Sequence, residues 1–300
     1  MKKCFFRKGA DKAMKTGLIL EGGAIRGIFT AGVLDRLMEN GIYLPYVIGV
    51  SAGGGNAMSY LSRQTGRTCR LMTAPKEESY YGLHQFWESK KIINLDKMCY
   101  EYPYKQFPFD FKTYFESDIV SEYACTCCET GEAEYLSESC DERRLLTICK
   151  ATCSIPMLCE PVELDGKHYL DGSIADSIPI ERALEMGCDK VVIVLTKPEG
   201  NVAPTDYRKF KGVINAMYKD YPAFVEACMT RVERYEKNKQ LMEKMQHDGT
   251  AYIIRPEVAP VSKFEKDMKK VLDFYKHGYT LMDSRFIDFL KWNETIPVNI

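Results

Sequence analysis

Thr16 to Glu21 (TGLILE) is a short, mainly apolar run that stops at Gly22-Gly23, and Ile28 to Met38 then carries apolar residues at helical spacing up to Asn40-Gly41. The pattern recurs: Tyr46 to Val50 is a second apolar run, Ser51-Ala52-Gly53-Gly54-Gly55 a second turn of small residues, and another helical pattern follows to about Arg63. A strand that is apolar throughout must be covered on both faces, and parallel strands need a crossover of about a dozen residues or more, usually a helix. Two β-turn-α units in succession therefore predict an α/β chain with a mostly parallel sheet between helical layers, a three-layer α/β/α sandwich.

Further along, Asp118 to Cys128 and Glu132 to Leu136 alternate around Thr130-Gly131 and read as a hairpin, and Asp165-Gly166 joins a second one. Glu181 to Met186 belongs to a helix ending near Gly187, before Lys190 to Thr196, the most hydrophobic strand of the chain. After Pro198, Tyr207 to Lys219 and Pro222 to Gln246 read as charged helices, Ala251 to Arg255 as one more strand, and Ser262 to Leu290 as helix. The expected organisation is a tail at 1–15, an α/β domain at 16–256 and a helical extension at 257–300, the last too short for a core of its own.

Composition narrows the function classes. Lys plus Arg number 41 against 42 Asp plus Glu, a formal charge of -1, so no global field favours nucleic acid as a partner. The longest apolar runs, such as Val191 to Leu195, fall far short of the roughly 20 residues that span a bilayer. The start, Met1 to Lys8, has the charges of a signal peptide but too little apolar sequence to be one, so a cytoplasmic protein, at most peripheral at a membrane, is expected. Twelve cysteines invite a metal hypothesis, centred on Cys125, Cys127 and Cys128 with Cys140, Cys149, Cys153 and Cys159 downstream. On a strand Cys125 and Cys127 share one face while Cys128 points to the other, and no paired CxxC follows. Reduced, buried thiols with no metal or cofactor are the expectation.

Gly49-Val50-Ser51-Ala52-Gly53 is G-x-S-x-G at the end of an expected strand and the start of an expected helix, the context in which a nucleophile stands on a sharp, strained turn. A plain strand-to-helix turn capped by Ser51 is the competing reading. Gly22-Gly23-Ala24-Ile25-Arg26-Gly27 is another glycine-rich turn after a strand, whose backbone N–H groups are free to converge on an oxyanion. A dinucleotide fingerprint would need a glycine at its third position, where Ala24 stands, and an acidic residue where the second strand runs into Ser51. Arg26 could meet a phosphate or carboxylate of the substrate, or be simply solvated. For a base, His84, His168, His247 and His277 are poorly placed by sequence, and Asp171, delivered by Tyr169-Leu170 to the turn Gly172-Ser173, is the other candidate.

Taken together and in this order, Gly22 to Gly27, Gly49 to Gly53 and Asp171-Gly172 resemble the patatin-like phospholipase family, including its bacterial serine acyl hydrolases. Ala151-Thr152-Cys153-Ser154-Ile155-Pro156, Pro161 and Asp171 through Pro179 resemble the segment leading into the family's aspartate, so the likeness covers about residues 16 to 196. It implies a patatin-like fold, Ser51 as nucleophile, Asp171 as general base and an oxyanion hole at Gly22, Gly23 and Ala24. Arg26, Gly27, Gly49, Gly53 and Gly172 support these motifs. The implied activity is hydrolysis of lipid acyl esters without a metal, as in a phospholipase A-type esterase. Ala24 and Ser173 depart from the family's usual residues at their positions, and both are small. The 257–300 segment resembles extensions of some bacterial members.

Cys99 to Phe115 holds eight aromatic residues between nucleophile and base in sequence. It reads as a lid or acyl-pocket wall able to touch a membrane surface transiently, or as a cap whose rings pack on one another. Two other functional readings stay open: a non-catalytic lipid or acyl-group binding protein, and a histidine-dependent α/β-hydrolase esterase.

Overall fold

A computed structural model describes residues 15–75, 78–82, 92–200 and 204–294. Among them eight strands form one sheet: β1 Thr16–Leu20, β2 Tyr46–Val50, β3 Val120–Cys127, β4 Ala133–Leu136, β5 Val162–Leu164, β6 Lys167–Asp171, β7 Lys190–Val194 and β8 Ala251–Ile254. Their order is β5-β6-β3-β2-β1-β7-β8, with β4 paired to β3 off this path. The ladders from β3 to β8 are parallel, and β4, β5 and β6 join through antiparallel ones. The helices are α1 Gly27–Glu39, α2 Ala52–Leu61, α3 Arg67–Met72, α4 Phe111–Phe115, α5 Glu142–Thr152, α6 Ile180–Glu185, α7 Lys211–Met217, α8 Pro222–Met229, α9 Arg231–His247, α10 Met268–Ser284 and α11 Phe286–Glu294. No helix of the described residues is long and apolar enough to cross a membrane.

The sheet is covered on both faces, as its apolar strands require. β1 and β7 are buried along their whole length. Their residues alternate between two cores: Leu18, Leu20, Val192 and Val194 face the one built with α1, α2, α5 and α10, while Ile19, Val191 and Ile193 face the one closed by α6 and α9. The expected three-layer α/β/α architecture is therefore the observed one. Both expected hairpins form, and the second turns through Asp165 and Gly166 with φ of 52° and 78°, the positive pair of a tight two-residue turn.

Register on β3 brings two strand ends together. Residues 123–124 pair with both β2 and β4, and residues 125–126 with both β4 and β6, so β2 and β6 share the flank opposite β4. Because β2 runs parallel to β3 and β6 antiparallel, they meet carboxyl end to carboxyl end. Val50 lies opposite Ala124 and Asp171 opposite Cys125, consecutive positions on one strand.

Two helices differ from the expectation. The stretch expected as one helix from Pro222 to Gln246 is two, parted at Thr230, whose ψ of 6° leaves the helical range. The break lets Phe224, Ala227 and Cys228 enter a small core with Ile174 and Tyr207 while Arg231 turns inward toward Ser173. Ser262 does not begin a helix either. Residues 262–267 stay irregular, because the Lys263 carbonyl accepts the Ile25 N–H at 3.3 Å, and α10 starts only after Asp267 caps the N–H groups of Lys269 and Lys270. α10 then crosses α1 with the two backbones almost touching: a Cβ on Gly32 would sit 2.2 Å from the Tyr275 carbonyl oxygen, and one on Gly278 2.2 Å from that of Phe29.

Candidate active site

The carboxyl ends of β1, β2 and β7 carry the turns at Gly22, Ser51 and Thr196, and β6 adds Asp171. In open sheets of this kind that edge, where successive connections diverge, is where ligands bind. Ser51 sits at the β2–α2 junction with φ 54° and ψ −125°, a conformation that costs a non-glycine residue on the order of 1–3 kcal/mol. The surroundings hold it there. Its N–H donates to Thr152 Oγ1 at 2.9 Å, the Thr152 hydroxyl donates to the Ala124 carbonyl at 2.6 Å, and its carbonyl accepts from Gly54 N–H at 2.8 Å. The glycines of the motif answer to close approach: a Cβ on Gly49 would lie 2.6 Å from Gly54 Cα, and one on Gly53 2.2 Å from the Leu20 oxygen. Gly27 gives the same kind of clearance, since its Cβ would fall 2.9 Å from that of Ala52.

The β1 turn lies against this elbow, and a Cβ on Gly22 would be 2.8 Å from Ser51 Cβ. Among the described residues, the N–H groups of Gly22, Gly23 and Ala24 donate no hydrogen bond. Ala24 holds φ 52°, the left-handed conformation that glycine adopts without strain, which gives a physical reason for a glycine at that place. Arg26 Nε donates to the Val261 carbonyl at 2.8 Å, and burial lowers its pKa against the pull of Glu21.

Asp171 is 3% exposed and fixed through its backbone: its N–H donates to Ser154 O at 2.9 Å and its carbonyl accepts from Thr126 Oγ1 at 2.9 Å. Oδ1 accepts the Ser173 N–H at 2.8 Å, while Oδ2 has no hydrogen-bond partner among the described residues. Gly172 is forced by crowding, since a Cβ there would lie 2.0 Å from the Ala124 oxygen.

Two cavities meet at Ser51. One, of about 920 Å³ including the space open to solvent, is mainly apolar and walled by Met58, Leu71, Tyr80, Tyr81, Leu146 and Phe264 among others. The other, of about 640 Å³ on the same measure, contains Asp171 and is walled by Glu21, Arg26, Lys197, Arg231 and Lys263. Ala24, Ser51, Ile155 and Lys263 border both.

The aromatic segment contributes to the apolar wall only through Cys99 and Pro103. Its rings pack on one another instead, Phe109 against Phe111 at 4.8 Å and Tyr102 against Phe107 at 5.0 Å between centroids. Buried Arg67 pins this cap by donating to the Phe107 and Pro108 carbonyls. His168 pairs with Glu129, His247 is exposed beside Asp248, His277 accepts the Glu257 N–H, and none of the three borders either cavity. His84 lies outside the described residues. Cys125 and Cys127 are buried in one core and Cys128 in another.

Several residues at the site were not singled out from sequence. Glu21 accepts from Thr196 N–H and Oγ1 at 2.8 and 3.0 Å and pairs with Lys197 at 3.0 Å, tying the β1 and β7 turns together. Arg231 donates to the carbonyls of Ser173 and Thr205, and Lys263 to Thr205 Oγ1 at 2.7 Å. The Lys263 ammonium is pushed down to about 8, first by burial and then by the charges of Arg231 and Arg26. Thr152 and Ser154 fall in the stretch whose likeness was noted above, but Arg231 and Lys263 come from segments with no local motif.

A family model described as patatin-like phospholipase matches residues 18–125 and 129–184, and one described as a domain of unknown function, DUF6363, matches 221–294. The uncharacterized protein YjjU of Escherichia coli is 31% identical over 192 residues, which cover 61% of this chain and 52% of that one. Proteins named lysophospholipase in Aspergillus niger and Candida albicans are 23% and 21% identical over 94% and 91% of this chain, but over only 18% and 20% of their own length. The match thus spans about half of the bacterial relative and a fifth of the fungal ones. Among solved structures, VipD from Legionella pneumophila aligns with a TM-score of 0.49 at 15% identity, covering 91% of this chain and 67% of that one.

Proposed function

Because this chain belongs to the patatin-like phospholipase family, we propose that it is a lipid acyl hydrolase working through Ser51 and Asp171. The observation that carries the reading is the strained Ser51 elbow, bordering one cavity with Asp171 and with a turn whose three N–H groups donate to none of the described residues. In the proposed sequence Asp171 takes the hydroxyl proton as Ser51 Oγ attacks the ester carbonyl carbon. The N–H groups of Gly22, Gly23 and Ala24 hold the oxyanion, joined by the positive end of α2. Collapse expels the alcohol, protonated by Asp171, and water activated by the same carboxylate then releases the acid. The names of the fungal relatives support a substrate with a single acyl chain, and the apolar cavity offers a place for it.

Fluorophosphonate labelling with peptide mapping tests this directly. The expected adduct is on Ser51 and absent in Ser51→Ala, with Asp171→Asn slowing labelling and ester turnover by about 10²–10⁴-fold. Alanine at each of the four histidines should leave both intact. An adduct elsewhere, or activity lost with a histidine and kept in Asp171→Asn, would overturn the dyad; lipid binding without turnover, unchanged in Ser51→Ala, would favour a binding protein.

A further inference from the structure

We propose that three thiols on the wall of the apolar cavity, Cys99, Cys149 and Cys153, form a second reactive centre, in which Cys149 reduces hydroperoxides carried on acyl chains and Cys99 then closes a disulfide with it. This centre is separate from the reading of Ser51 and stands whether or not an ester is turned over there.

The thiols converge from two parts of the chain. Cys149 and Cys153 stand four residues apart, so the last turn of α5 and its cap present them on one face. Cys99 comes from the helical turn Lys97–Glu101 in the aromatic segment. The Cys149 sulfur is hydrogen-bonded to both of the others, and all three are free thiols that border the apolar cavity. Buried thiols that serve only as small apolar filler meet aliphatic neighbours, whereas these meet one another and open space. Among the described residues no three His, Cys, Asp or Glu side chains are grouped so as to hold a metal ion.

Charge singles out one of the three sulfurs. Arg67, at the start of α3, is 6% exposed and borders the same cavity. Its guanidinium donates to neutral oxygens of Phe107, Pro108 and Ser59, and among the described residues no carboxylate lies within ion-pair distance of it. Burial pushes its pKa down to about 10, which still leaves it charged at neutral pH. A buried cation is ordinarily paired, because burial without a counter-charge is costly. Cys149, whose charge acts on Arg67, is in place to carry that counter-charge. The S–H bonds it accepts from Cys153 and Cys99, together with Arg67, hold its thiol well below the ordinary range against the opposing effect of burial. Donating those bonds, and burial, push Cys99 and Cys153 up, so one thiolate forms and its neighbours keep their protons.

A thiolate beside a cation and a second thiol is what peroxide reduction needs. The Cys149 thiolate attacks the terminal oxygen of the hydroperoxide, an S–O bond forms as the O–O bond breaks, and the alkoxide leaves beside Arg67 and takes from solvent the proton that Cys149 gave up. The Cys99 sulfur then attacks the Cys149 sulfenic acid, and its proton leaves with the hydroxyl as water. Two thiols are thereby oxidised to one disulfide and the hydroperoxide is reduced to an alcohol and water. Cys99 rather than Cys153 is the partner, because Cβ atoms four residues apart on a helix lie about 5–6 Å from each other and a disulfide needs about 4 Å. Cys153 is still held on the last turn of α5 by its N–H bond to the Cys149 carbonyl at 3.3 Å. The cavity selects the oxidant: its walls include Met58, Met72, Leu95 and Leu146, which favour an acyl chain over hydrogen peroxide.

The test uses the full chain, reduced with dithiothreitol, desalted without air and mixed with one equivalent of linoleic acid hydroperoxide. One hydroxy acid should form per chain, two thiols should disappear, and peptide mapping should find Cys99 joined to Cys149. The reaction should run about tenfold or more faster than with hydrogen peroxide, and saturating palmitate should slow it by a similar factor. Cys149→Ser should lose about a hundredfold in rate, and Cys99→Ser should stop at a Cys149 sulfenic acid that dimedone traps. Oxidation of exposed Cys140 with the three thiols left intact overturns the proposal, as does an unchanged rate in Cys149→Ser. Equal rates with the two peroxides would remove the acyl chain from the assignment, and a bond from Cys149 to Cys153 would remove Cys99 from its role. Should the serine variants fail to fold, the mapped bond and the two rates in the wild type still decide.

Discussion

Ala24 shows how a single backbone angle can be in tension with its side chain. At φ 52° an L residue carries about 1–2 kcal/mol of strain, and glycine would relieve it at the expense of about 0.5–1 kcal/mol of extra chain entropy. Ala24→Gly is therefore expected to raise stability, by up to about 1 kcal/mol, in urea unfolding; a loss of stability would mean that the Ala24 methyl does more for the packing than its backbone angle costs. Ser51 and Gly53 were legible in the sequence because a tight elbow admits so few residue types at such short spacing. Arg231 and Lys263 were not, because a cation at the end of a helix or in an irregular stretch reads as solvated surface. Only tertiary contacts to Thr205, Ser173 and Ile25 turn these two inward.

At the scale of elements, the crossing of α1 and α10 has no slack. Gly278 sits where any side chain would drive into the Phe29 carbonyl, whereas Gly212 in α7 has nothing within 4 Å of a Cβ. Gly278→Ala should lose about 1–3 kcal/mol because the helices must part, and Gly212→Ala should gain about 0.5–1 kcal/mol from helix propensity alone. Thermal or urea unfolding of the pair checks both signs, and a neutral Gly278→Ala would show that the crossing can relax. Strands and their order of appearance were readable from apolar runs and from alternation around glycine turns. The break at Thr230 was not, since α8 and α9 have continuous helical composition and part only because their neighbours bury different faces.

For the whole molecule, Ser51 and Asp171 stand 120 positions apart in the chain, yet Val50 and Asp171 pair with consecutive residues of β3, Ala124 and Cys125, and Ser51 and Asp171 border one cavity. Hydrophobic patterning reveals strands but not which flank of a partner they take, so this meeting was implied by the likeness to a family and by nothing else in the sequence. The division of the space around Ser51 has a kinetic meaning under the proposed mechanism. After the first half-reaction the fatty chain stays in its apolar berth while the alcohol departs from the opposite side, and water has to enter by the passage the alcohol has just left. Any small alcohol can follow the same route, so added glycerol should intercept the covalent intermediate and yield monoacylglycerol in proportion to its concentration, measurable by chromatography of the products. Free acid alone, at every glycerol concentration, would mean that water reaches the intermediate by a separate path. A hydrolase arranged in this way is an acyltransferase whenever its surroundings supply a better acceptor than water.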